Sequence, residues 1–140
     1  MGTMVMLLLS FSFCIFSARV DGNGQPSAYE VLKSYNLPIG VLPKGALGYT
    51  LDRNSGQFAV NLSSNCNVHV GEFDIKYNSP ITGVISHNNL GRIGGVKVKI
   101  ALFWTDIENV NRNRNQLRFK IRKVGTKRFP DSDFNSCPNC

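Results

Sequence analysis

The chain has 140 residues, 42% of them hydrophobic and 18% charged, and its 16 Lys and Arg against 9 Asp and Glu give a net charge of +7. That length suits one domain, and the composition is too apolar and too weakly charged for a disordered chain. No collagen period or heptad is present, and two histidines with four cysteines are little material for a multi-ligand metal site, so neither a metal nor a cofactor is expected.

In chain order, residues 5–16 form an uncharged run interrupted only by Ser10 and Ser12. As a helix it would rise about 18 Å, well short of the roughly 30 Å hydrocarbon core of a bilayer. This predicts a signal peptide over 1–22, removed to leave a single β domain at 23–140. An uncleaved membrane anchor is the alternative, since residues 1–4 carry no Lys or Arg.

Cys14 falls in that leader, which leaves Cys66, Cys137 and Cys140. In an oxidising compartment at least two should pair. The Cys137-Pro138-Asn139-Cys140 spacing is that of a redox motif, but no helix follows it to lower a thiol pKa. The expectation is a structural link from Cys66 to Cys137 or Cys140. Cys137 is preferred, because it follows Phe134 more closely and should fray less. Cys140 would then be free or intermolecular, giving a monomer or a disulfide-linked dimer through Cys140. Asn61-Leu62-Ser63 is an N-glycosylation sequon, with Asn61 on the surface.

Ser27-Ala28-Tyr29-Glu30 fits a capping box, and Ala28, Val31, Leu32 and Tyr35 form an apolar stripe. The spacing predicts a helix over 28–35, stopped before Pro38. Residues 37–47 read as an ordered apolar loop. Beyond Leu47 the period becomes two. Strands are predicted at 47–52 and 57–62 around a turn at 53–56, then at 67–77 with a bulge at Gly71. A turn at 78–80, a strand at 81–86 and a loop at 87–91 follow, then strands near 96–100, 102–110 and 117–121. No strand–helix–strand unit occurs. The pattern predicts a mainly β protein: one short N-terminal helix followed by a closed or nearly closed antiparallel β-barrel or sandwich of six to eight strands.

Ser27-Ala28-Tyr29-Glu30-Val31-Leu32 and Tyr35-Asn36-Leu37-Pro38-Ile39-Gly40-Val41-Leu42-Pro43-Lys44-Gly45 resemble the opening of the plant secreted family called domain of unknown function 538. The resemblance continues through Tyr49-Thr50-Leu51, Gly56-Gln57-Phe58, Cys66, Ile81-Thr82-Gly83-Val84-Ile85-Ser86, Gly95-Val96-Lys97-Val98-Lys99, Trp104 and the late Ser136-Cys137. It implies one short helix and a closed antiparallel β structure, in a protein of the apoplast or cell wall. Members have been linked to trichome and cell-wall phenotypes, compared with lipid-binding bactericidal/permeability-increasing domains, and suggested to be ester hydrolases. The family fixes no catalytic residue. Residues 111–115 (NRNRN) and the extra Cys140 depart from its usual pattern.

The plainest functional signal is charge. Between Asn109 and Pro130 stand eight basic residues and no acid: Arg112, Arg114, Arg118, Lys120, Arg122, Lys123, Lys127 and Arg128. Alternation puts Arg118, Lys120 and Arg122 on one strand face. Lys97 and Lys99 would join them, and Arg112 and Arg114 extend the patch. Such a field attracts polyanions, and the expected partner is an acidic polysaccharide such as pectin, or an anionic lipid. Nucleic acid is not expected behind a secretory leader. A plain solvated face, or an edge strand guarded by lysines, competes with this reading.

An ester hydrolase acting on pectin or another carboxylic ester is the alternative from the enzyme class. Its candidates are Glu72 and Asp74, expected on one strand face, and His87. No nucleophile elbow is present, and Ser86-His87 is no triad, because neighbouring strand residues point to opposite faces. His69 with Glu72 and Asp74 would be a weak metal set. Asp106 and Glu108 are a second carboxylate pair at strand spacing. A third reading is a hydrophobic-ligand carrier, with Phe73, Ile75, Tyr77, Phe103, Trp104 and Phe119 lining a barrel interior, against the ordinary case of a filled core.

Overall fold

The computed structural model describes residues 27–140; the leader at 1–22 and Cys14 lie outside the described residues. The Ser27 hydroxyl accepts from the Glu30 N–H at 3.3 Å and opens α1, Ala28–Ser34. Tyr35 is its cap rather than its last helical residue, and the Tyr35 N–H reaches the carbonyls of Val31 and Leu32. Asn36, at φ +61°, turns the chain away. Residues 37–43 are then buried throughout, with a 3-10 turn at Ile39–Val41. The apolar loop is part of the core.

Eight strands follow: β1 (Ala46–Leu51), β2 (Gln57–Leu62), β3 (Cys66–Val70), β4 (Phe73–Ser86), β5 (Asn89–Ile100), β6 (Phe103–Asn113), β7 (Gln116–Ile121) and β8 (Gly125–Pro130). They form one antiparallel sheet in the order β1-β2-β4-β5-β6-β7-β8, with β3 also on β4. The long β4 therefore has two partners on one edge. Its first part, to Tyr77, pairs with β3, and its second part, from Ile81, pairs with β2.

Two sequence expectations exchange places here. Gly71 is not a bulge: at φ +59° it makes the two-residue turn between β3 and β4 with Glu72. Residues 78–80 are not a turn but an irregular stretch inside β4, where the register with β5 shifts between Tyr77 and Thr82. Side chains fix that irregularity. The Ser79 N–H donates to Asn65 Oδ1 at 3.0 Å, and the Ser79 hydroxyl accepts from the Leu62 N–H at 3.0 Å. Gly95 packs on it so closely that a Cβ would lie 2.5 Å from the Asn78 carbonyl oxygen. Only the β3–β4 turn shifts the alternation by one residue: Ile75, Tyr77, Ile81 and Ile85 keep one parity through the irregular stretch. The expected loop at 87–91 is a two-residue turn, His87-Asn88, and β5 starts at Asn89.

Inward residues of the strands pack with α1, the 37–43 segment and Phe134 into one apolar cluster. Two tyrosine hydroxyls tie the segment down. Tyr29 Oη donates to the Pro43 carbonyl at 2.6 Å, and Tyr77 Oη to the Val41 carbonyl at 2.9 Å. Phe129 of β8 meets Phe73 of β4 edge to face at 5.5 Å and Phe119 at 5.3 Å. The sheet thus curls until its far strands share the core, although no hydrogen-bonded seam closes it among the described residues.

The disulfide joins Cys66 to Cys140, not to Cys137. A 3-10 turn at Asp131–Phe134 drops Phe134 into the core, and Cys137 follows it, buried with its Sγ 3.4 Å from the Ile39 carbonyl oxygen. The chain beyond does not fray, because the Lys44 N–H donates to the Pro138 carbonyl at 3.0 Å. That brings Cys140 to the start of β3. Cys140 is engaged within the chain, so the expected dimer through Cys140 has no thiol to form it, and no described cysteine is free.

Candidate functional site

Residues facing away from the core on β4 to β8 make one continuous outer face. The register sets Lys76, Lys97 and Asp106 in one row and Lys99 beside Trp104 in the next. Asn109, Lys120 and Thr126 form another row, and Asn111, Arg118 and Arg128 a fourth. β6 lies between β5 and β7 and carries the acids. Lys97 Nζ donates to Asp106 Oδ1 at 2.7 Å, and Arg122 reaches Asp106 at 3.5 Å and Glu108 at 3.2 Å. Lys97 and Arg122 are therefore locally matched by acids.

Arg118, Lys120 and Arg128 differ. No acidic side chain pairs with any of them among the described residues. Arg118 and Arg128 stand directly opposite each other across β7 and β8. Like charges in that position oppose pairing. On their other side Asn111 belongs to an amide network in which its Nδ2 donates to Asn89 Oδ1 at 3.2 Å and Asn109 Nδ2 donates to the same oxygen at 2.9 Å. The free basic charge of the outer face is thus concentrated on β7–β8, with Lys123 exposed in the turn beside it, while Lys127, opposite Phe119 in the register, is exposed on the other face of β8.

The structure divides the expected patch. Arg112 is not on the outer face. The register break between Ile107 and Asn109 gives it the parity of Val110, opposite Leu117. Its guanidinium donates to Asp131 Oδ2 at 2.7 Å and to the Asn36 carbonyl at 3.3 Å, which ties β6 to α1 and to the turn after β8. Arg114 sits in the β6–β7 turn at φ +59°. Lys97, Lys99, Arg118, Lys120 and Arg122 do share the outer face.

Breaks in β5 and β6 also hollow that face. An open depression of about 660 Å³ lies over them, lined by Arg92, Asp106, Glu108, Asn109, Lys120 and Arg122. The Lys97 hydrogen bond, with the charges of Lys97 and Arg122, holds the Asp106 carboxyl below the usual carboxylate range against slight desolvation. Asp106 is therefore an ionised partner rather than a proton donor. Arg92 escapes a sequence reading because β5 begins earlier than its alternation suggests. Arg128 is counted in the basic excess of the sequence, but its place opposite Arg118 is not legible there because β8 (Gly-Thr-Lys-Arg-Phe-Pro) lacks an alternating apolar pattern.

The hydrolase candidates do not converge. Glu72 is in the β3–β4 turn rather than on the face of Asp74. Asp74 pairs instead with His69 Nδ1 across β3–β4. His87 is exposed in the turn at the opposite end of the 14-residue β4. Among the described residues no three His, Cys, Asp or Glu side chains gather as metal ligands would.

The interior is filled. Its cavities hold about 20 Å³ beside Tyr77, Phe119 and Phe134 and about 10 Å³ beside Phe73 and Phe129, at most the room of a single water. Phe73, Ile75, Tyr77 and Phe119 line it as expected. Trp104 instead belongs to the outer face, and Phe103 lies half exposed at the sheet's end, because the β5–β6 hairpin runs past the core. Asn61 is exposed at the end of β2.

"Uncharacterized protein At5g01610" of Arabidopsis thaliana is 26% identical over 102 residues, covering 72% of this chain and 59% of the relative. The chain thus accounts for about three fifths of that relative's length. The family described as "Protein of unknown function, DUF538" matches residues 28–135, from α1 to the 3-10 turn after β8. The chain belongs to the DUF538 family.

Proposed function

We propose that the protein binds an acidic polysaccharide on the outer face of β7 and β8. The supporting observation is the Arg118–Arg128 pair, opposed in register beside Lys120 and without an acid among the described residues. Folding places like charges together here at a cost. A polymer carrying regularly spaced carboxylates removes that cost and gains charge-assisted hydrogen bonds from two planar guanidinium groups. The depression holding Arg92, Lys120 and Arg122 gives the polymer a path towards β5. The reading includes secretion to the cell wall after removal of residues 1–22, with a glycan on Asn61 at the far side of the sheet order.

The test is binding of polygalacturonate across a salt series by wild type and by an Arg118→Glu/Lys120→Glu/Arg128→Glu variant. Binding should weaken steeply with salt, and the variant should lose roughly tenfold or more at low salt. Lys97→Ala, whose charge Asp106 already meets, should change little. Equal affinity of wild type and triple variant overturns the reading.

A further inference from the structure

The β5–β6 hairpin carries a second feature that the polysaccharide reading does not use. Its tip presents Leu102, Phe103 and Trp104 at 94%, 44% and 36% exposure. Leu47 is the other large apolar side chain exposed among the described residues, and it stands apart on β1. Ile107 pairs with Ile121, so β7 turns back four residues before β6 reaches its tip at Phe103. Leu102 therefore stands forward of the β7–β8 turn. Hairpin tips are ordinarily polar; here the turn residue Ala101, at φ +55°, leads into three bulky apolar groups.

The surroundings are cationic. Lys99 is opposite Trp104 in the register, and Lys76 Nζ lies 4.3 Å from the Trp104 ring centroid. Arg122 and Lys123 follow in the neighbouring β7–β8 turn. The acids at this end are Glu72 on the adjacent turn, Asp74 against His69, and Asp106 against Lys97 and Arg122. An apolar point, an amphipathic indole behind it and lysines with long apolar stems behind that are the order of groups a bilayer interface accommodates. A hydrated polysaccharide offers nothing that would bury Leu102.

We propose that this hairpin tip inserts into the interface of a bilayer bearing anionic headgroups. Leu102 and Phe103 enter the acyl boundary, Trp104 sits at headgroup depth, and Lys76 and Lys99 meet the phosphates. Trp104 is the one tryptophan in the sequence, so its fluorescence reports this insertion directly. Vesicles of phosphatidylcholine with phosphatidylserine should shift its emission to the blue and shield it from acrylamide, and phosphatidylcholine alone should do so less. Leu102→Asp should weaken partitioning roughly tenfold or more, while its circular dichroism stays that of wild type. The same variant should still bind polygalacturonate, and the Arg118/Lys120/Arg128 variant should still insert, which keeps the two sites separable. Unchanged emission and quenching with either vesicle overturns the proposal. So does a blue shift that needs no vesicles and grows with protein concentration, which would assign the tip to a second copy of the chain.

Discussion

Tyr77 shows how one side chain serves two levels of the fold. Its ring belongs to the inward row of β4, and its hydroxyl holds the buried 37–43 segment through the Val41 carbonyl. Burial pushes its pKa far up. Burial also raises that of Tyr29, against hydrogen bonds near residues 45–46 that lower it. In both cases the folded state resists deprotonation more than the unfolded chain does. The stability involved is fully present below about pH 10 and is lost as pH rises beyond the unfolded tyrosine value. Tyr77→Phe should cost about 1–3 kcal/mol at neutral pH, because it leaves the Val41 carbonyl buried without its donor. Urea unfolding at pH 7 and above pH 10 should show the variant closing part of that gap at the higher pH. At this scale the sequence is uneven. Ser27 announces its cap. Arg112 does not announce that it faces inward, because a one-residue break in β6 reverses the parity of everything after it.

Among the elements, the two 3-10 turns are packed backbone to backbone. A Cβ on Gly40 would lie 2.4 Å from the Phe134 carbonyl oxygen and 2.6 Å from that of Ser136. Backbone cannot yield there as a flexible side chain would. Gly40→Ala should therefore destabilise the protein by about 2–3 kcal/mol, read as a lower urea midpoint. It should leave the outer face intact, so polygalacturonate binding by the folded fraction should be unchanged. Elements with a strong local signal are legible: α1 by its stripe, β2 and β7 by alternation. The β3–β4 turn and the irregular stretch of β4 exchange places in a sequence reading, because the one-residue slip at Gly71 reads as a bulge and Asn78-Ser79-Pro80 has the composition of a turn although the alternation runs through it. β8 stays hidden because an edge strand with Lys127 and Arg128 exposed needs no apolar alternation.

For the molecule as a whole, a sheet without a hydrogen-bonded seam among the described residues depends on its core and on the clasp between Cys66 and Cys140. The Cys66–Cys140 link closes a loop with a sequence separation of 74. The chain-entropy model gives it about 4.5 kcal/mol, an upper figure. Cys66→Ser/Cys140→Ser should lower the urea midpoint accordingly without changing the β signal in circular dichroism. The mainly β class and the short helix are legible in the residues alone, because period two recurs along most of the chain. The site is half legible. The excess of charge after Asn109 is visible in one dimension, but its sorting into acid-matched and unmatched cations depends on β6 lying between β5 and β7.

The same clasp has a consequence for how the protein is made. Cys66 opens the third strand, and Cys140 follows the eighth. A nascent chain still waiting for β8 has only half of this bond. The bond therefore marks passage of β8: molecules that carry it have had all eight strands available to fold, and trapping free thiols during synthesis would sort chains that have not reached Cys140 from those that have.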